Sequence, residues 1–319
     1  MMLKRIKSST DMVHFLANIN TPMSVKGFVL RIIGVSAGTA VVLNDVGRIF
    51  LRRRGDVRVS ADFDALQIID DMEYGYPMRT GAGGIGAYAF SCYIPRTLPG
   101  SKDVEYIEPD DNYQIEVAFG PSIAAHSSGF LCELYADIDV GVCWYDLQIL
   151  QTNFAYAAAT TASETVQGEN LVASYLTAEL GGVLKTIALG SSNITELTVQ
   201  WGNQIGTGLL GAWLDLTTLR KRFEWTWGPA GVIQYGLGCC LHTAEGEISG
   251  ALEDSLGIQF TVSAAAYPIV LTMGMKFNQD KLIITRALDG TLLANKLAEK
   301  DRAGHSQASA VIKTALGQQ

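Results

Sequence analysis

Charge is scarce in this chain. Of 319 residues, 18% are charged and 48% are hydrophobic, a balance that excludes a disordered protein and calls for a large buried interior. The charge present is mainly acidic, with a net value of −8. That excludes a general nucleic-acid surface, so no specific nucleic-acid partner is expected. Disulfide architecture is missing too. Cys92, Cys132, Cys143, Cys239 and Cys240 are odd in number and fit no framework, which points to reduced core thiols and assembly in a cytosol. No apolar run approaches the roughly 18 residues needed to cross a bilayer as a helix. The start of the chain is basic but soon meets Asp11, His14 and Asn18, so it does not read as a secretory leader.

Chemistry-bearing motifs are equally sparse. There is no Walker A loop, no G-x-S-x-G elbow and no H-E-x-x-H. Residues 81–86, GAGGIG, match G-x-G-x-x-G literally. That fingerprint binds pyrophosphate only between a strand and a helix, whereas here an alternating strand pattern follows. The four histidines, His14, His126, His242 and His305, are scattered, and Cys240-Leu241-His242 lacks a second ligand pair. Acidic pairs at Asp62/Asp64, Asp70/Asp71, Asp110/Asp111 and Asp137/Asp139 would need to converge in space for glycosidase or calcium chemistry. Asp110-Asp111-Asn112 after Pro109 reads as turn chemistry. No catalytic, cofactor or metal residue is assigned and no enzyme is expected. The acidic pairs leave room for a structural calcium between subunits.

What the chain has in abundance is β pattern. Residues 28–33 (FVLRII), 39–43, 48–52 (RIFLR), 57–59, 88–94, 113–119 (YQIEVAF), 130–138 (FLCELYADI) and 142–150 are strand candidates. Residues 62–72 read as a short helix, with Phe63, Leu66 and Ile69 on one side. Residues 95–109 read as a long polar loop. The second half repeats the layout loosely. Strands are expected over 183–189, 194–201, 231–237, 239–243, 257–265 and 269–277, a further one over 281–286, and a short helix over 214–224. The fold class is therefore all-β, two consecutive jelly-roll β-sandwich domains with short inserted helices and helical terminal segments.

The divisions follow composition. Residues 1–22 form a basic amphipathic arm, with Met12, Phe15, Leu16 and Ile19 at helical spacing, Asp11 at its N-cap and Thr21-Pro22 as its stop. Residues 23–154 form the first jelly roll. Residues 155–178, rich in Ala, Thr and Ser and without strict alternation, form an inter-domain connection. Residues 179–288 form the second jelly roll, and residues 289–319 a helical tail.

The arm reads either as a terminal helix packed on the body or as an amphipathic segment touching a membrane or neighbouring subunits, since Lys4, Arg5 and Lys7 set cations beside its apolar face, a combination that suits an anionic lipid surface. Two further basic clusters, Arg52-Arg53-Arg54 and Arg220-Lys221-Arg222, occupy corresponding places in the two halves. They read either as contacts to acids across a subunit boundary or as solvated turns, and no aromatic platform accompanies them for nucleic acid.

Two consecutive β halves, each with a short helix after its early strands, together with a basic arm, resemble the double jelly-roll major capsid proteins of tailless icosahedral phages and viruses with an internal membrane. The resemblance is carried by residues 28–34, 48–59 and 62–72 in the first half, and by 194–201 and 214–224 in the second. Its first half is most similar to the corticovirus-like and FLiP-like coat proteins. It implies a homotrimer with a pseudo-hexameric outline, self-assembly into an icosahedral capsid lattice, and minor capsid and vertex proteins as partners. It also implies contact of the terminal segments with an internal membrane, and a place in the virion after assembly in the host cytoplasm. By the same resemblance Lys4, Arg5 and Lys7 are membrane-facing, and Arg52, Arg53, Arg54, Arg220, Lys221 and Arg222 are inter-subunit contacts. The rival reading is a two-domain carbohydrate-binding or carbohydrate-hydrolysing β-sandwich protein, in which Trp144, Trp201, Trp213, Trp225 and Trp227 stack on sugars.

Overall fold

The computed structural model describes residues 2–41, 45–69, 86–98, 101, 103–141, 145–180, 183–185, 193–201, 213–215, 240–242 and 253–277. Among them the chain runs β1 (Met2–Ser9), β2 (His14–Ile19), β3 (Met23–Ser36), β4 (Val46–Arg53), β5 (Asp56–Asp62), α1 (Phe63–Ile69), β6 (Gly86–Pro95), β7 (Glu105–Ile107), β8 (Tyr113–Phe119), α2 (Pro121–His126), β9 (Ser127–Ile138) and β10 (Tyr145–Asn153). It continues with β11 (Thr160–Leu180), β12 (Val183–Lys185), β13 (Ile194–Trp201), β14 (Trp213–Asp215), β15 (Cys240–His242), β16 (Glu253–Val262) and β17 (Tyr267–Phe277).

Two-residue alternation builds the first jelly roll. Along β8, Tyr113, Ile115 and Val117 turn inward and are fully buried, as a half-buried strand requires. Phe28, Leu30 and Ile32 of β3 do the same. β1, β9, β3 and β6 form one sheet in that order, with β7 added beside β3; β10, β5, β4, β8 and β2 form the facing layer. The layers meet through Phe28 on Tyr113, ring centroids 5.7 Å apart, and Phe119 edge-on to Phe130 at 5.1 Å. Phe28 and Tyr113, both fully buried, each contribute about 1.5–3 kcal/mol by burial. The helix expected over 62–72 is present as α1, which buries Phe63, Leu66 and Ile69 at three-residue spacing.

Several expectations are corrected. The basic arm is not a helix: it is two strands, β1 on β9 and β2 on β8. Phe15, Ala17 and Ile19 are buried in alternation with Leu16 and Asn18, and pairing along β8 outweighs the chance helical spacing of Met12, Phe15, Leu16 and Ile19. Residues 39–41 carry no strand. The loop expected over 95–109 contains β7. The connection expected over 155–178 is mostly β11, which pairs with β16 over Thr160–Gln167 and with β17 over Leu171–Glu179. The helix expected over 214–224 is corrected at its start, since Leu214 and Asp215 pair with Val199 and Thr198 on strand β14; its residues 216–224, the expected elements 231–237 and 281–286, and the 289–319 tail lie outside the described residues.

The two halves share a sheet. β10 pairs in parallel with β5 on one side, and antiparallel with β17 from Tyr145↔Phe277 to Asn153↔Ile269 on the other. The strand order then continues through β11, β16 and β13 to β14. Ile269, Leu271, Met273 and Met275 of β17 enter the same core as Leu147 and Ile149 of β10. β11 bends to follow this seam. Its register shifts between Gln167 and Leu171, Asn170 takes a left-handed φ of 47°, and its Nδ2 donates to the Met275 carbonyl at 2.8 Å. β17 answers with Gly274, where an added Cβ would lie 2.4 Å from the Glu169 carbonyl oxygen. Gly274→Ala therefore forces the two strands apart and is expected to lower stability by about 1–3 kcal/mol, read as a lower urea midpoint at unchanged slope.

Candidate functional site

The β4–β5 hairpin carries the first basic cluster, and the structure divides it. Arg54 and Gly55 both have positive φ, 53° and 86°, the backbone of a tight two-residue hairpin turn. Ile49, Leu51 and Arg53 alternate inward along β4. Arg53 thus ends on the core side and is 4% exposed. It is withdrawn from the expected inter-subunit contacts, because a buried guanidinium cannot reach a neighbour. Arg52 points outward and pairs with Glu116 at 2.5 Å. Arg54 is half exposed and reaches Asp111 at 3.0 Å and Glu108 at 3.4 Å.

Arg53 is the hub of a buried charge cluster. Its Nη1 donates to Asp146 at 2.8 Å and Glu105 at 3.1 Å, and its Nη2 donates to Asp111 at 2.6 Å. Arg96, fully buried, donates from Nε to Glu105 at 2.6 Å and from Nη1 to the Leu147 carbonyl at 2.8 Å. The Tyr113 hydroxyl donates to the same Glu105 carboxylate at 3.1 Å. Arg58, on β5, faces the other oxygen of Asp146 at 3.6 Å. Three guanidinium groups, Arg53, Arg58 and Arg96, therefore face three carboxylates, Glu105, Asp111 and Asp146. Burial alone would lower the Arg53 and Arg96 pKa values, but the surrounding carboxylates outweigh it and hold both above the ordinary arginine range. Burial, reinforced by Glu105, pushes Tyr113 well above its usual value.

This arrangement fastens elements far apart in sequence. β4, β7, the turn Pro109–Asp111 and β10 all converge on Arg53, and the segment after β6 joins through Arg96. Every carboxylate in the cluster is engaged by at least one guanidinium. The sequence reading missed Arg96, Glu105 and Asp146 altogether and took Asp111 for a plain turn residue. Alternation from Ile49 and Leu51 was the one local signal, since it places Arg53 inside.

The remaining candidates are dispersed. Lys4, Arg5 and Lys7 lie on edge strand β1. Arg5 pairs with Glu133 at 3.5 Å, and Lys7 donates to the Leu16 carbonyl and sits 5.8 Å from the Phe15 ring centroid. Asp62 meets Arg48, and Asp139 meets Lys26. Asp137 accepts from the Tyr93 hydroxyl at 3.4 Å. Cys92 and Cys132 are buried thiols outside any disulfide, and burial pushes Cys132 well above its ordinary pKa. Cys240 and His242 lie on β15, opposite Tyr175 and Ala173 of β11. Trp201 and Trp213 lie on β13 and β14. Residues 220–222, Trp144, Trp225, Trp227, Asp70, Asp71 and all of 81–86 except Gly86 lie outside the described residues. Among the described residues no group of three or more His, Cys, Asp or Glu side chains could hold a metal ion, and no helix is long and apolar enough to cross a membrane.

The architecture defines an all-β protein of two jelly rolls, the double jelly-roll class. Comparison with solved structures gives the particulars. The chain is similar to the STIV MCP at 10% identity, with 86% of this chain and 96% of that one covered and a TM-score of 0.57. It is similar to the major capsid protein P2 of bacteriophage PM2 at 12% identity, covering 86% and 97%, with a TM-score of 0.52. It also matches the PBCV-1 virus capsid at 9% identity, covering 86% and 92%, at the same TM-score of 0.52. No protein-family model and no curated protein sequence matches the chain.

Glu105→Gln strips the countercharge from two buried arginines at once. Breaking a buried ion pair from one side costs about 3–5 kcal/mol, so a destabilisation of that size is expected in urea titrations. Arg52→Ala, at the half-exposed neighbour, is expected to cost no more than about 1 kcal/mol.

Proposed function

We propose that this chain is a structural major capsid protein whose work is mechanical rather than catalytic. The observation that carries the reading is the extent of the fold match: two jelly rolls joined through one sheet, in the arrangement of viral capsid proteins that the chain covers almost end to end. The buried charge cluster supports it from the other side. Its carboxylates, each engaged by at least one guanidinium, brace the fold.

In this reading three copies form a capsomer. Each subunit contributes two similar lobes, so three give a pseudo-hexameric outline that tiles an icosahedral shell around a membrane. Assembly takes place in the host cytoplasm, and minor capsid and vertex proteins complete the lattice. Low surface charge suits broad repeated interfaces. Lys4, Arg5 and Lys7 face the lipid headgroups, and Arg52, Arg54, Arg220, Lys221 and Arg222 contribute to contacts between subunits.

Light scattering on the purified protein tests the assembly. A chain of 34.4 kDa gives a trimer of 3 × 34.4 = 103.2 kDa, and that mass or larger shells and sheets are expected; a strict monomer at micromolar concentration would remove the capsid reading. The membrane role is tested separately. The triple variant Lys4→Glu, Arg5→Glu, Lys7→Glu is expected to lose most binding to anionic liposomes, each lost cation weakening attachment by about 1 kcal/mol. Unchanged liposome binding would sink the lipid-facing assignment while leaving the capsid reading intact.

A further inference from the structure

β1 is fastened to the molecule by its backbone ladder and by few side chains. It pairs with β9 from Met2↔Ile138 to Ser9↔Cys132, with a register shift between Arg5 and Lys7. None of its residues belongs to the buried core, and Ile6 alone of β1 packs against that core. Met2 and Leu3 are 66% and 43% exposed. β9 is the opposite. Phe130, Cys132, Leu134 and Ala136 are all core residues, and its other edge is taken by β3. β1 is thus a removable cover over the edge of a strand that cannot move.

Only residues 10–13 join β1 to β2. That turn is held by exposed polar contacts: Asp11 Oδ1 accepts from the Val13 and His14 amides at 2.8 and 3.3 Å, and Ser9 Oγ accepts from the Asp11 amide at 3.1 Å. With β1 seated on another copy, residues 10–13 alone bridge the gap, and Ser9 to His14 spans at most roughly 17 Å at about 3.3 Å per residue, so the exchange needs the two β9 edges to lie that close. The ladder made with β9 is the same whether β1 comes from its own chain or another. The exchange therefore turns on the solvated turn and on local concentration.

Charge chooses what can sit on the edge. Two β1 strands brought edge to edge would oppose Lys4, Arg5 and Lys7 to their own kind. On β9 the same strand meets Glu133, whose carboxylate is nearly buried and already lies between Arg5 at 3.5 Å and Arg31 at 3.3 Å. Like-charge juxtaposition on one surface and a paired acid on the other direct the strand to β9.

We propose that the outer edge of β9 is a strand-acceptor site and that in the assembled protein it takes β1 from a second copy, so that neighbouring subunits exchange their N-terminal strands. The proposal rests on the self-assembly reading for the presence of close neighbours.

Because Ser9 lies opposite Cys132, one substitution reports the exchange; directly opposed Cα atoms in an antiparallel pair are about 4.5–5.5 Å apart, within disulfide range. In a background of Cys92→Ser, Cys143→Ser, Cys239→Ser and Cys240→Ser, one chain carries Ser9→Cys with Cys132→Ser and a second keeps Ser9 and Cys132. The two are co-assembled and treated with a mild oxidant. Disulfide-linked pairs on a non-reducing gel are expected. A control chain carrying both Ser9→Cys and Cys132 reports whether the two positions can join at all. Internal closure of the control with no linked pairs in the mixture overturns the exchange. A control that neither closes nor links overturns the β1–β9 register and the proposal with it. Should the serine background not fold, a labelled peptide of residues 2–9 added to the unaltered protein is expected to be taken up at the β9 edge, displacing β1, and absence of uptake is equally decisive. The native mass separates the two readings: an oligomer whose control only closes internally keeps the assembly reading and loses the exchange, whereas a monomer loses both.

Discussion

The pairing of β10 with β17 is the constraint on which the rest of this structure depends. β10 is the last strand of the first half, and β17 is the last strand described in the second. Nine opposed residue pairs join them, so the strand that closes one jelly roll is also the first interior strand of the sheet that continues into the other. A flexible tether would leave two lobes free to rotate, the default expectation for linked domains. A shared sheet fixes their relative twist through a continuous hydrogen-bond ladder and a core that β10 and β17 enter together. That rigidity comes from ordinary backbone pairing rather than from a dedicated interface.

The buried charge cluster acts on the same strand near its start. Asp146 is the second residue of β10, and it is held by Arg53 of β4 and faced by Arg58 of β5. The Leu147 carbonyl accepts from Arg96. Hydrophobic contacts alone would allow β10 to slide by two residues with little change in which side chains face inward. A set of charge-assisted hydrogen bonds between fixed partners does not tolerate such a slip, because it would leave a buried guanidinium or carboxylate unmatched. The cluster is thus better understood as a register pin than as a source of net stability, since desolvation consumes much of what the Coulomb attraction supplies. Neutrality matters here: with three cations against three anions, no net charge is buried.

How much of this was legible depends on where each signal resides. β8 was readable to the residue because Tyr113, Ile115 and Val117 alternate with Gln114, Glu116 and Ala118. α1 was readable because Phe63, Leu66 and Ile69 recur at helical spacing. β2 was misread because its middle inward residue is Ala17, too small to mark the strand period, while outward-facing Leu16 completes a false helical one. β11 was misread for a different reason. Over its first half, Thr161, Ser163, Thr165 and Gln167 face solvent and only Val166 is buried, so composition suggested a linker although β-branched threonines suit an exposed strand face. The charge cluster was barely legible. Its members lie as far apart as Arg53 and Asp146, and nothing local to Arg96 or Glu105 distinguishes a buried pair from a solvated loop.

A sheet this wide raises the question of how its edges avoid uncontrolled pairing, and the answers differ from edge to edge. β6 ends the smaller sheet where α1 packs beside it. β1, at the other end, carries three cations and a register irregularity, both of which discourage a flat strand from adding on. β2 ends the larger sheet and is tied to β1 through the Lys7 contact with Leu16. One edge of each sheet thus falls on the N-terminal β1–β2 segment, whose two strands belong to different sheets and are linked by Lys7. In the capsid role proposed above, the chain has to suppress adventitious strand addition while still permitting specific contact. Concentrating the repulsive charge on β1, the strand that contributes almost nothing to the core, discourages strand addition at that edge without placing charge in the interior.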